Sequence, residues 1–155
     1  FSESFRIVNP GGSLIINSCS PEQLEMGFWF YSFIPDAMRA VQEKTISLEK
    51  MAEQLQEVGF YSQSQEVPLD LILQNKAYFQ FEGILDPAWR RGDSIWSLVE
   101  DETLETVLNK VRDLRQRKKL EDFMLQHDLP RNNSGQVTFT IARKKPLTTI
   151  QKKVS

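Results

Sequence analysis

Several things are scarce in this sequence at once. In 155 residues there is one cysteine, Cys19, and one histidine, His127. A single cysteine forms no internal disulfide, and Cys19 with His127 falls short of a zinc site unless carboxylates supply most of the ligands, so no metal centre is expected. A reducing, cytoplasmic setting fits this usage. No apolar run reaches membrane-spanning length and no basic-then-apolar leader opens the chain, which reads as a soluble protein without a targeting signal. The formal net charge of −2 offers no global field for phosphate backbones and argues against a dedicated nucleic-acid binder. Internal repeats and low-complexity segments are lacking too.

What is present is ordinary globular material: 40% hydrophobic and 26% charged residues, in a chain long enough to bury roughly 70% of its unfolded surface as one domain. Phe1, Phe5 and Val8 recur at near-helical spacing before Asn9-Pro10-Gly11-Gly12, a turn in which proline fixes φ and glycine permits positive φ. Leu14, Ile15 and Ile16 follow without polar alternation, the pattern of a strand covered on both faces. Ser20-Pro21-Glu22-Gln23 supplies an N-cap, a proline at the first helical position and a capping-box glutamine. Phe28-Trp29-Phe30-Tyr31 with Phe33 is too apolar to be left in water.

Pro35 opens a further helix to about Glu43. Ser47 caps another, in which Leu48, Met51, Leu55 and Val58 share a face that Gly59 stops. Phe60 to Val67 is a strand candidate. Residues 69–97 are irregular and rich in aromatics, the mark of a binding element. From Glu100 to about Gln126 the spacing predicts one long helix with Leu104, Val107, Leu108, Val111 and Leu114 on a stripe. After a turn at Asn132-Asn133-Ser134-Gly135, the run Gln136 to Arg143 alternates with period two and is the clearest strand. The tail from Pro146 is polar and basic, a loose end.

Three of these pieces, in order, resemble one family. Phe5-Arg6-Ile7-Val8-Asn9-Pro10-Gly11-Gly12 followed by Ser13-Leu14-Ile15-Ile16 is similar to the segment before and into the fifth strand of class I S-adenosylmethionine-dependent methyltransferases. Leu48 to Phe60 resembles their helix before the sixth strand, and Gly135 to Lys144 their closing seventh strand. Gly27 to Tyr31 and Leu85 to Ser94 look like a signature of the small-molecule, type 11-like subgroup. The resemblance implies an α/β fold: the C-terminal half of a Rossmann-like sheet, strands five to seven, with the seventh inserted antiparallel between the fifth and sixth. On this reading residues 1–145 are part of a methyltransferase domain, about 69–130 a substrate-lid and helical insertion, and 146–155 the tail. No Gly-x-Gly-x-Gly turn follows a strand and no acidic strand end is present to hold ribose hydroxyls, so S-adenosylmethionine would be bound mainly by the missing N-terminal half.

On the same resemblance this chain supplies the substrate side for methyl transfer to a small-molecule acceptor. It would be an enzyme as the full-length protein and inactive alone, and its exposed sheet edge would favour a homodimer. Asn17 and Cys19 lie at the carboxyl end of the first strand, where open sheets place ligands; the plainer reading is that they lead into the helix cap at Ser20. Cys19 has no evident base or cation to make it a nucleophile. Trp29 and Tyr31 suit a wall against a planar or cationic ligand, or core packing. Trp89, Arg90 and Asp93, with Tyr78 and Trp96, suit a substrate site in which arginine clamps a carboxylate or phosphate and Asp93 orients it or acts as base; the plainer reading is a surface Arg-Asp pair. Arg112 to Lys119 reads as a solvated basic face and His127 as a helix-end cation. The rival from another class is a non-catalytic oligomerisation or protein-binding module that uses Leu104 to Leu114 as its partner face.

Overall fold

The computed structural model describes residues 1–147; all but the first two residues of the basic tail expected from Pro146 lie outside the described residues. In chain order the elements are α1 (Ser2–Ile7), β1 (Ser13–Ser18), α2 (Pro21–Met26), α3 (Pro35–Gln42), α4 (Leu48–Glu57), β2 (Ser62–Glu66), α5 (Pro87–Arg90), α6 (Asp101–Gln116), α7 (Leu120–Asp128), α8 (Arg131–Ser134) and β3 (Thr138–Arg143). Short 3₁₀ turns occupy Trp29–Phe33, Asn75–Phe79, Phe81–Leu85 and Ser94–Leu98. The chain divides into two units. A sheet unit comprises Phe1–Ser18, Ile46–Glu66 and, among the described residues, 138–147; a helical unit comprises Cys19–Thr45 and Val67–Val137.

In the sheet unit, the turn after α1 closes through the Gly12 amide donating to Asn9 O at 2.8 Å. Gly11 has φ +79°, and with Pro10 before it this is the arrangement of a type II turn, whose third residue needs positive φ. The three strands are ordered β1-β3-β2, and the central β3 runs antiparallel to both neighbours. The register sets Leu14 opposite Ala142 and Ile16 opposite Thr140. The small core beside it joins Met51, Leu55, Phe60 and Ala142, with Phe5, Leu14 and Ile16 packed against them. The apolar run of β1 is not covered on both faces: burial alternates along the strand and Ile15 is 63% exposed. The reason is that the small core lies against one face of the sheet, the side of Leu14, Ile16 and Ala142, and the central strand β3 alternates in the same way.

α4 is capped by Ser47, whose hydroxyl accepts from the Lys50 amide. It ends where Phe60 N–H bonds Leu55 O and Gly59 N–H bonds Gln56 O, a Schellman closure with Gly59 at φ +110°. Lys144 returns to hold α1: its ammonium donates to Phe5 O at 2.7 Å and Val8 O at 3.0 Å and lies over the Phe5 ring. These are carbonyls that a helix end leaves without partners.

The helical unit is organised around aromatic rings. Phe30 is fully buried and meets Tyr31, Trp89 and Trp29 edge-on at 4.9, 5.1 and 5.6 Å, with Trp96 stacked at 6.3 Å. α2 starts with the expected reciprocal box, Gln23 N–H to Ser20 Oγ and Ser20 N–H to Gln23 Oε1. The single long helix expected from Glu100 is instead two, α6 and α7. Lys119 N–H bonds Leu114 O and Lys118 N–H bonds Arg115 O, a second Schellman closure in which Lys118 takes φ +58°. With no glycine to mark the stop, the periodic pattern runs straight across it. Val107, Leu108 and Val111 of the α6 stripe are buried in this unit's own core, with Leu104 and Leu114 against it, so the stripe is not a free partner face.

Candidate functional site

Eight of the nine candidate residues fall in the helical unit. Asn17 does not: it is exposed on β1 opposite Phe139, in the sheet unit. The other eight form three groups.

The first group centres on Asp93. Its carboxylate accepts from the Tyr31 hydroxyl at 3.2 Å, from Gln74 Nε2 at 3.0 Å and from the Ile95 amide at 3.1 Å. The expected pairing of Asp93 with arginine is not formed; its partners are a phenol, an amide and a backbone N–H. Three of about four lone-pair positions of a carboxylate are thereby used, so Asp93 holds Tyr31 and its own loop. Burial, and then the Asp93 charge, push the Tyr31 phenol far above its usual range. The same two causes, in the same order, raise the half-buried Cys19 thiol. Cys19 is therefore held as the thiol, the opposite of nucleophile activation.

The second group joins Trp29 and Tyr78, both buried and hydrogen-bonded to the interior, with Trp29 also lining a cavity. Trp29 Nε1 donates to Tyr78 O at 2.9 Å. The Tyr78 hydroxyl donates to Asp128 Oδ1, and Asp128 receives both Nε and Nη2 of Arg131 at 2.8 Å. The two ionised side chains are 9% and 13% exposed, and the guanidinium lies 5.6 Å over the Tyr78 ring. Burial, then the Asp128 hydrogen bond, push the Tyr78 phenol well above its usual range, and the same carboxylate raises Arg131. Nothing in composition singled out Asp128 or Arg131, though their three-residue spacing at a helix end is a signal for such a pair. Gln74 and Gln136 left no signal. Gln136 is fully buried and bridges backbone, accepting from Leu73 N–H and donating to Gly27 O.

The third group is Trp89, Arg90 and Trp96. Trp89 Nε1 donates to Ala77 O, and its indole fills the space above Gly83, where an added Cβ would meet it at 2.5 Å. Arg90 Nη1 donates to Ile84 O at 2.5 Å. Trp96 is 8% exposed and its Nε1 is buried without a partner. Arg90, Arg91, Asp93, Ser94 and Trp96 line a cavity of about 380 Å³, within the range of small-ligand sites. Arg91 takes part in no ion pair among the described residues, which leaves a forked cation at this mouth.

A second cavity of the helical unit, about 430 Å³, is lined by Trp29 and Tyr31 together with Glu25, Met38 and His127. Residue spacing did not bring His127 into any site. It is helix α7, folding back after Lys118, that places it there.

No group of three or more potential metal ligands occurs among the described residues, and no helix there is long and apolar enough to cross a membrane. None of the chain's glycines follows a strand: Gly11 and Gly12 precede β1, Gly135 precedes β3, and Gly27, Gly59, Gly83 and Gly92 lie at helix ends or in 3₁₀ and helical turns. Comparisons with protein-family models, with curated proteins and with solved structures find no match.

Proposed function

We propose that this chain is the substrate-side half of an S-adenosylmethionine-dependent methyltransferase acting on a small molecule. The observation that supports it best is the strand order. A closing strand placed centrally and antiparallel to both neighbours is what the resemblance implies for strands five, seven and six. The proline-glycine turn before β1 and the capped helix after it agree with the same reading.

S-adenosylmethionine, bound mainly by the other half, would supply the methyl group. What this half contributes is binding and orientation, the main requirements when the chemistry needs only alignment of donor and acceptor with water excluded. The acceptor belongs in the cavity of Arg90, Arg91 and Trp96, where forked cations suit a carboxylate or phosphate on it. Asp93 then serves as a positioning residue. β1, an edge strand here, would pair with the fourth strand of the cofactor half; a chain lacking that half would pair with its own copy instead.

Calorimetry with S-adenosylhomocysteine tests the reading. The full-length protein should bind one equivalent, and the 155-residue chain none. Stoichiometric binding by the 155 residues, or none by the full-length protein, would overturn it. The coding sequence before Phe1 gives an independent check, since it should contain a strand, a glycine-rich turn and an acidic strand end.

A further inference from the structure

The 430 Å³ cavity between α2, the Trp29–Phe33 turn, α3 and α7 is not used by the reading above. Its walls include Phe28, Trp29, Tyr31 and Met38, and its polar lining includes Glu25, Ser32, Gln126 and His127. Glu25, Ser32 and His127 each offer an acceptor, and Gln126 adds an amide that both donates and accepts. Glu25 is exposed and has neither ion pair nor hydrogen bond among the described residues. The Ser32 hydroxyl spends its proton on Trp29 O at 2.6 Å, so it offers lone pairs only. His127 Nδ1 lies 2.8 Å from Phe123 O; a carbonyl only accepts, so Nδ1 carries the proton, and the tautomer this selects has its lone pair on Nε2. Stacking on Phe123 at 3.9 Å fixes the ring plane.

No lysine or arginine lines the cavity. Lys110 sits outside the lining, over the Phe33 and Phe123 rings, and Arg131 is spent on Asp128. An aromatic and thioether wall edged by a carboxylate and lone pairs is complementary to a cation that carries N–H donors and an apolar ring. We propose that this cavity binds a small aromatic amine as its ammonium ion, with the ring against Phe28, Trp29, Tyr31 and Met38 and the ammonium donating to Glu25 and His127 Nε2. The proposal stands whether or not the methyl-transfer reading does.

Three probes of similar size and different charge test it: phenethylamine, phenethyl alcohol and 3-phenylpropionate, titrated into the ¹⁵N-labelled full-length protein while the Trp29 indole N–H is followed by NMR. Phenethylamine should bind about 10-fold tighter than the alcohol, as a charge-assisted contact predicts, with the carboxylate weakest. Glu25→Gln should remove the preference for the amine, and Glu25→Lys should turn it toward the carboxylate. Both variants change an exposed side chain, and an unchanged amide spectrum will show that they fold. Equal binding of the three probes, no response at 10-millimolar levels, or a preference insensitive to both variants would overturn the proposal.

Discussion

The sheet unit and the helical unit reach order by different routes. In the first, four buried side chains, Met51, Leu55, Phe60 and Ala142, make too small a core to specify much. Position there is set by the backbone ladder of β3 with its two neighbours, by two glycine-dependent turns and by Lys144 on the end of α1. In the second, strands are absent and much of the backbone runs in short 3₁₀ turns. Its order comes from seventeen buried residues in one cluster, many of them aromatic, and from polar groups bonded inward. A ladder tolerates a modest core because each residue's hydrogen bonds are prescribed; irregular turns need side chains to fix them. The candidate cavities lie in the unit held by side chains, where shape depends on individual residues.

Truncating the centre of each unit tests this contrast most strongly. Phe30→Ala should destabilise the helical unit by about 3–5 kcal/mol, and Leu55→Ala the sheet unit by about 2–5 kcal/mol. All three tryptophans lie in the helical unit, so urea unfolding followed by fluorescence reads the first directly, and amide exchange along β3 reads the second. A larger loss for Leu55→Ala than for Phe30→Ala would break the contrast.

Asp128→Ala comes next. It strands a nearly buried guanidinium and should cost about 3 kcal/mol, whereas the pair Asp128→Ala with Arg131→Met should cost less than the single change. Equal losses in urea melts would mean that the ion pair is solvent-screened and that rings alone hold this unit.

Alkaline pH should act through the same unit. Burial and neighbouring carboxylates raise the Tyr31 and Tyr78 phenols above the ordinary tyrosine value of about 10. The unfolded chain releases these protons first, so stability is intact below about pH 10 and falls as pH climbs beyond it. Tyr31→Phe should flatten that fall, measured as urea midpoint against pH. An unchanged slope would remove Tyr31 from the account.

The smallest effects concern the two helix stops. Lys118→Gly should stabilise the chain by up to about 1 kcal/mol by relieving a left-handed lysine. Gly59→Ala should destabilise by about 1 kcal/mol or more, because its φ is +110° and the Phe5 ring lies 2.9 Å from an added Cβ. Matching signs in thermal melts would contradict the shared closure geometry.

Those two stops also show how far the sequence could be read. Gly59 announced the end of α4, while Lys118 hid the end of α6 inside a continuous helical pattern, because the same closure was made by a residue with no turn preference. The Ser20 and Ser47 caps, the Pro10-Gly11 turn and the period-two strand β3 were legible, since each rests on contacts within a few residues. Tyr31 and Asp93 were both named as candidates, yet their bond spans 62 positions and was invisible. So were the inward ties of Trp29 and Tyr78.

The sequence by itself determined the local elements and the apolar character of Phe28 to Phe33, because caps, φ preferences and periodicity act at short range. Tertiary structure alone decided that β1 would leave Ile15 in solvent, that Asp93 would serve Tyr31 and Gln74 in place of an arginine, and that His127 would come to line a cavity with Trp29. The physical reason is that a side chain's partners are chosen by which distant segments fold against it, and hydrogen-bonding groups with several possible partners carry no mark of the one they will find.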